Sequence, residues 1–443
     1  MSDRPVDHAV GIGASLAGLL AAAALSPRSG TVTALDRRPI PVDGAVESLA
    51  AQGDFAHALL VGGARAMEHL MPGLLDDLVE HEAFVTDVGA DVPVHWQAAG
   101  TLRKEIPWLG TRVPQASRAL LESRIRAHVQ SLSNVEIRGE VVVDGIDLAD
   151  NAVRGVNTRS GPVECDLMVD ASGRASRLTT WLIDAGVPDP PTTLVGVDIT
   201  YTGIDIARTP GDLEDGAVLA VVQNTDTSTR GAVALPTEGQ RWTLALGSYF
   251  GDRPELERSS IEAFAGSLAD PVIRRLLDNE WLSAPKRYKF PASQRRHFEK
   301  VRSLPVGFCA IGDSAASFNP IYGQGMSVAA IEAVALAENI DTLGNSPRLP
   351  NAMAAATAKI IDNPWQIATG ADFIYPGTVG RRPPGISAIN RYLTQVIAAA
   401  ATDREVNLAF SRVQQLLDPP SSLLRPRLVA RVRRAAKRVP AAV

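Results

Sequence analysis

Gly13-Ala14-Ser15-Leu16-Ala17-Gly18 joins a short apolar run over residues 9–13 to an Ala- and Leu-rich run over residues 16–25. The order reads as strand, tight turn and helix. Thr31-Val-Thr-Ala-Leu35 predicts a second strand, and it ends at Asp36, 23 residues after Gly13. A diphosphate needs close backbone approach, free N–H groups and the positive end of a helix. Gly13 permits the turn, and Gly18 lets helix and strand pack closely. Ser15 stands where a middle glycine is usual, and its side chain is small enough to fit. Asp36 is placed to accept hydrogen bonds from ribose hydroxyls. Ala14 and Arg37, beside these positions, complete the expected binding set. Together these features predict a dinucleotide-binding βαβ unit that opens a doubly wound sheet. They do not separate NAD from FAD.

A second segment does separate them. Residues 308–326 read Phe-Cys-Ala-Ile-Gly-Asp-Ser-Ala-Ala-Ser-Phe-Asn-Pro-Ile-Tyr-Gly-Gln-Gly-Met. This is a strand over 308–311, then Gly312-Asp313, then Pro320, then Gly323-Gln324-Gly325-Met326 opening a helix over 325–336. A flavin has a ribityl chain and a ring that becomes anionic when reduced. Asp313 suits a ribityl hydroxyl, and bare N–H groups at Gly323, Gln324 and Gly325 suit the reduced ring. FAD is therefore expected between the N-terminal unit and residues 312–326.

The rest of the 443-residue chain fits a globular protein with more than one core: 45% hydrophobic and 21% charged, with a net charge of −5. Nothing in that balance points to nucleic acid. Cys165 and Cys309 lie in apolar runs and read as buried inert thiols. The seven histidines are scattered without metal-ligand spacing, so no metal is expected. Ser314 and Ser317 lack a patterned His–Asp pair. The first eight residues are polar and acidic, and no uncharged apolar run reaches the ~18 residues of a membrane span. A cytoplasmic protein without integral membrane association is expected.

Helical periodicity covers 55–79, interrupted near Pro72-Gly73, and again 117–129. Strands are expected over 135–143, 152–158 and 163–168. Residues 193–249 alternate like longer strands, with a hairpin of 231–235 and 241–249 around a 236–239 turn. The remainder after 340 reads mainly helical. The expected fold is α/β: an FAD-binding doubly wound Rossmann-like domain (1–80, 108–185, 290–345), a β-rich substrate domain (81–107, 186–289) and a C-terminal helical region (346–443).

The two glycine motifs resemble those of class A flavoprotein monooxygenases of the para-hydroxybenzoate hydroxylase type. Within that family the likeness runs to an actinobacterial natural-product subgroup that includes polyether polyene epoxidases. Its marks are Gln52-Gly53 with His57-Ala-Leu-Leu, Pro72-Gly-Leu, Trp365-Gln-Ile-Ala-Thr-Gly-Ala-Asp372 and Gly380-Arg-Arg-Pro-Pro384. The resemblance implies that Pro320 lies by the flavin's reacting face, Arg118 near the FAD phosphates, and the Val142 backbone near the adenine. It implies a monooxygenase that hydroxylates or epoxidises a lipophilic natural-product intermediate through a flavin C4a-hydroperoxide. NADPH, NADH or a separate flavin reductase would bring the electrons. Two departures stand out. Asp170-Ala-Ser-Gly173-Arg-Ala-Ser-Arg177 replaces the usual Asp-Gly-x-x-Ser-x-x-Arg, and Asp54-Phe55 stands where a basic residue and His are common. Both are compatible with an alternative, a non-redox cyclase that keeps FAD as a scaffold.

Four further expectations concern the substrate side. His57 either orients flavin or substrate, or is a structural histidine in an apolar helix. Arg295-Arg296-His297 either holds an acidic group or is a solvated cluster. Residues 197–201 and 242–249 wall the pocket. The basic residues from Arg425 through Arg438 form a solvated helix face, or dock an acidic carrier protein or membrane surface.

Overall fold

The computed structural model describes residues 5–436. Five parallel strands form one sheet, in the order Phe308–Ala310, Leu167–Asp170, Val6–Ile12, Ser29–Leu35, Val135–Arg138. Helix Leu16–Leu25 is buried at every position but Ala17. Its small side chains let helix Gly325–Leu343 and helix Arg118–Gln130 close around it. Leu16, Leu19 and Leu20 share a core with Met67, Ile125 and Leu336, each contributing about 1.5–3 kcal/mol by burial. A side chain at Gly18 would place its first carbon 1.7 Å from the Gly13 carbonyl oxygen, so this approach demands glycine.

Eight strands form a mixed sheet, in the order Ala316–Ser317, Lys286–Arg296, Thr192–Ala207, Arg241–Ser248, Arg230–Thr237, Ala220–Val222, Val92–Ala98, Thr101–Ile106. Ile206, Trp242, Leu244 and Leu246 bury one of its faces against helices Arg258–Gly266 and Val272–Leu276. The expected hairpin forms, but its turn is later than 236–239. Pro236 pairs with Trp242 inside the ladder. The neighbouring strand covers only Ala232–Ala234, so Pro236 sits on an open edge where its missing N–H costs nothing.

Two expected strands each divide. Val135–Arg138 joins the parallel sheet, whereas Val143–Ala149 starts an antiparallel trio with Ala152–Thr158 and Gly161–Glu164. Glu140, at φ 59°, turns the chain between them. Leu167–Asp170 is separate from Gly161–Glu164, and the Asp166 carboxylate accepts the backbone N–H of His8 at 2.7 Å there. The expected helix over 55–79 becomes Val61–Leu70 and Leu74–Glu80, broken at Pro72 with Gly73 at φ 91°. Residues 51–60 are irregular, so His57 is not helical.

Beyond residue 340 the chain is helical: Leu349–Asp372, Ile386–Ala400, Arg404–Gln414 and Pro426–Ala436. Leu428, Val432 and Ala435 turn the last helix inward, and Arg431 pairs with Asp403 and Glu405. Of the basic run expected there, Lys437 and Arg438 lie outside the described residues. Cys165 and Cys309 are free and buried, and burial pushes both thiols up to about 12. Among the described residues no helix is long and apolar enough to cross a membrane.

Candidate functional site

A cavity of about 1780 Å³ lies beyond the C-terminal ends of the parallel strands, between them, the open face of the large sheet and the C-terminal helices. Crevices at that edge are where doubly wound sheets bind ligands. Gly13, Ser15, Asp36, Arg37, His57, Arg118, Gly312, Asp313, Pro320, Gly323, Gln324, Gly325 and Met326 all line it. Ala14, Gly18 and Val142 do not. The two glycine turns also touch: a side chain on Gly312 (φ 64°) would lie 2.9 Å from the Ala17 methyl.

The first turn is tied by its neighbours' side chains. Gly13 has φ 102°, and any side chain there would strike the Ala171 carbonyl oxygen at 2.6 Å. The Asp36 carboxylate accepts the Ala14 N–H at 3.0 Å through one oxygen and the Arg38 N–H at 2.9 Å through the other. It thus braces the loop while still facing the cavity. The Ser15 hydroxyl donates to Glu122 at 3.0 Å, which turns that side chain aside and explains why serine is accommodated. The first N–H groups of helix Leu16–Leu25 have no intrahelical partner and open on the cavity.

Glu122, fully buried, is a hub that the sequence reading passed over. It also accepts from the Ser48 hydroxyl, the Leu49 N–H and Arg118 Nε, at 2.8–3.1 Å. Arg126 stands on its other side at 3.7 Å. Its signal was present in the sequence: Arg118, Glu122 and Arg126 recur every four residues, along one helix face.

At the second turn the Asp313 carboxylate makes no hydrogen bond or ion pair with the described residues. Burial raises its pKa, against the pull of Arg118, Arg174 and Arg296. Beneath it, Glu332 accepts the Gly312 N–H at 2.6 Å through one oxygen and leaves the other unpaired. Burial pushes Glu332 up to about 8. Gln324 Oε1 is likewise buried without a partner. An unpaired carboxylate, a helix start bearing two glycines and free N–H groups opposite fit a flavin dinucleotide: acceptors for hydroxyls, donors for diphosphate and ring.

The remaining expected residues divide between cavity and core. His57 Nδ1 bonds the Phe55 carbonyl at 2.7 Å. Burial and then the Arg118 charge lower its pKa to about 4, so the ring is neutral. Arg295 and Arg296 are buried, and neither lines the cavity. Arg295 pairs with Asp362 at 2.7 Å and Arg296 donates to the Ser314 carbonyl at 2.7 Å, so they are neither solvated nor a substrate clamp. Of the expected walls only Tyr201, Ala245 and Gly247 face the cavity; Trp242 belongs to the core on the other side of the sheet. Asp170 is turned inward, accepting from Ser172 N–H and the Ser176 hydroxyl. Asp54 pairs with Lys286 at the surface.

Two features had no forewarning. The C-terminal helices supply a large part of the cavity wall, including Trp365, Ile389, Leu393, Ile397 and Phe410. Next to Pro320, a buried network joins Tyr201, Asn319, Tyr249 and Asp372. Asn319 Oδ1 accepts from the Tyr201 hydroxyl at 3.0 Å, and its Nδ2 donates to Asp372 at 2.7 Å.

A chain whose diphosphate-type turn and Gly-Asp turn meet on one cavity beneath a broad mixed sheet shares the fold of flavoproteins of known structure, and it belongs to one family with a mycobacterial relative. It is 30% identical over 437 residues to Protein Rv3254 of Mycobacterium tuberculosis (strain ATCC 25618 / H37Rv), covering 94% of this chain and 90% of the relative. No protein-family model matches the chain. Among solved structures, a flavoprotein/dehydrogenase from Cytophaga hutchinsonii superposes with TM-score 0.68 at 15% identity, over 98% of both chains. The p-nitrophenol 4-monooxygenase PnpA from Pseudomonas putida DLL-E4 gives 0.63 at 18%, over 92% of this chain and 98% of the other. Diels-Alderase PyrE3, of the biosynthetic pathway of pyrroindomycins, gives 0.59 at 18%, over 93% of this chain and 81% of its own.

Proposed function

We propose that this protein is an FAD-dependent monooxygenase that hydroxylates or epoxidises a lipophilic natural-product intermediate. The observation that carries the reading is the meeting of Gly312 with Ala17, which puts both glycine turns on one cavity. Bound and reduced, FAD would supply the activation of O₂. The chain's own groups bind and orient. The start of helix Leu16–Leu25 and Arg118 would hold the diphosphate, Asp36 and Arg37 the ribose side, and Asp313 the ribityl chain. The N–H groups at Gly323–Gly325 would donate to the ring of a bound flavin and favour its anionic form. Pro320 would border the reacting face. His57, neutral, offers Nε2 as an acceptor rather than a charge. The apolar walls, Trp108 and Trp365 among them, keep water from the reacting atoms. NADPH, NADH or a separate flavin reductase supplies electrons.

The test is isotopic. Turnover of a lipophilic substrate under ¹⁸O₂ should leave one labelled oxygen in the product and stop without oxygen. Equal product formation without O₂ would refute monooxygenation. It would support the second reading, a non-redox cyclisation, which the likeness to a Diels-Alderase favours.

A further inference from the structure

We propose that Arg103 is an anion subsite at the wall of this cavity, and that the lipophilic substrate carries a carboxylate that docks there. The inference takes the cavity from the reading above and adds the chemistry of the ligand's far end. Arg103 lies on the edge strand Thr101–Ile106, opposite Trp96 in the ladder. It is 5% exposed. Its guanidinium lies 4.5 Å from the Trp96 ring and 5.5 Å from the Phe410 ring. Nη1 donates to Gln414 Oε1 at 3.1 Å, whereas Nε and Nη2 have no partner. Trp96, Phe410 and Gln414 all line the cavity, so the cation sits directly behind its wall.

The other buried arginines have acceptors that suit them. Arg118 and Arg126 flank Glu122, Arg295 has Asp362, and Arg296 has the Ser314 carbonyl. No carboxylate stands within 4 Å of Arg103 among the described residues. Burial alone lowers its pKa, to about 10, with no acidic neighbour opposing. A buried cation without a counter-ion is costly. The two rings offset part of that cost, and one neutral amide oxygen offsets little more. A carboxylate displacing the Gln414 amide would give two charge-assisted bonds to the planar fork. Gln414 ends helix Arg404–Gln414, where a side chain can swing aside without disturbing packing upstream. The substrate class is thus a long apolar acid, its body along the Trp365, Leu393 and Ile397 wall and its acid end at Arg103.

The test reads binding rather than turnover, so its failure is separable from failure of the oxygen chemistry. The fluorescent polyene parinaric acid and its methyl ester are titrated into the FAD-loaded protein. The wild type should prefer the acid by roughly tenfold or more, the scale of a hydrogen bond to a charged group. Arg103→Met should abolish the preference while leaving ester binding unchanged, which also shows that the cavity is intact. Gln414→Leu, which removes the competing acceptor, should keep or increase it, and decides the matter should Arg103→Met not fold. Equal binding of acid and ester by the wild type, no saturable binding of the acid, or a preference that survives in Arg103→Met or vanishes in Gln414→Leu would each overturn the assignment.

Discussion

Replacing Asp372 with Asn should make the protein less sensitive to rising pH. Asp372 ends helix Leu349–Asp372 with no solvent exposure. Oδ1 accepts from Asn319 at 2.7 Å and from the Tyr249 hydroxyl at 2.9 Å. Tyr322 stands beside the same group, though Oδ2 closes no hydrogen bond of ordinary geometry. Burial raises this carboxyl from 3.8 to about 7, its hydrogen-bond donors opposing. The unfolded chain releases the proton near 3.8 and the folded chain near 7, so between those values folding holds one extra proton. The stabilisation is complete below the lower value and is lost as pH climbs through the upper one, about 4 kcal/mol in all. In D372N the amide oxygen can keep both donors, the nitrogen replaces an oxygen that bonds nothing, and no proton is exchanged. Urea unfolding of both proteins at fixed free FAD, needed because bound ligand adds its own stabilisation, should show the wild type losing about 3 kcal/mol relative to D372N between pH 5 and pH 8. A difference that stays constant over that range would refute the reasoning.

Asp313→Ala should strip most of the FAD from the purified protein, read as flavin absorbance per polypeptide; unchanged occupancy would remove Asp313 from the site. Asp36→Ala should weaken FAD binding by roughly 1–3 kcal/mol, the scale of hydrogen bonds to a charged group, and an unaltered dissociation constant would contradict its role. Glu122→Gln leaves two buried guanidinium groups without their shared anion and should cost about 3–5 kcal/mol of stability, visible as a lower urea midpoint; an unmoved midpoint would mean that the arginines find other partners.

What was legible in the sequence was local. Residues 16–25 announce a buried helix because Ala and Leu leave nothing for solvent. Gly13, Gly18 and Gly312 mark places where a side chain would collide with a neighbour. Strand limits were less legible: the apolar runs at 135–143 and 163–168 each contain a break between strands of two different sheets, which hydrophobicity does not encode. The helix expected from residue 55 begins at Val61, because periodicity alone does not show that residues 51–60 are held by side-chain contacts. The cavity wall after residue 365 was illegible for a different reason. Contacts such as Arg103 with Gln414 or Asn319 with Asp372 join positions far apart in the chain, and pairings of that kind leave no mark in local spacing.

The breadth of the shared cavity has a calorimetric consequence. On the proposed reading, cofactor and substrate share one continuous, mainly apolar wall drawn from both sheets and the C-terminal helices. Loading it withdraws that wall from water, so each binding step carries a negative heat-capacity change. Enthalpies of association will therefore slope with temperature, and a ligand that looks entropy-driven in the cold will look enthalpy-driven when warm, with no change in its contacts.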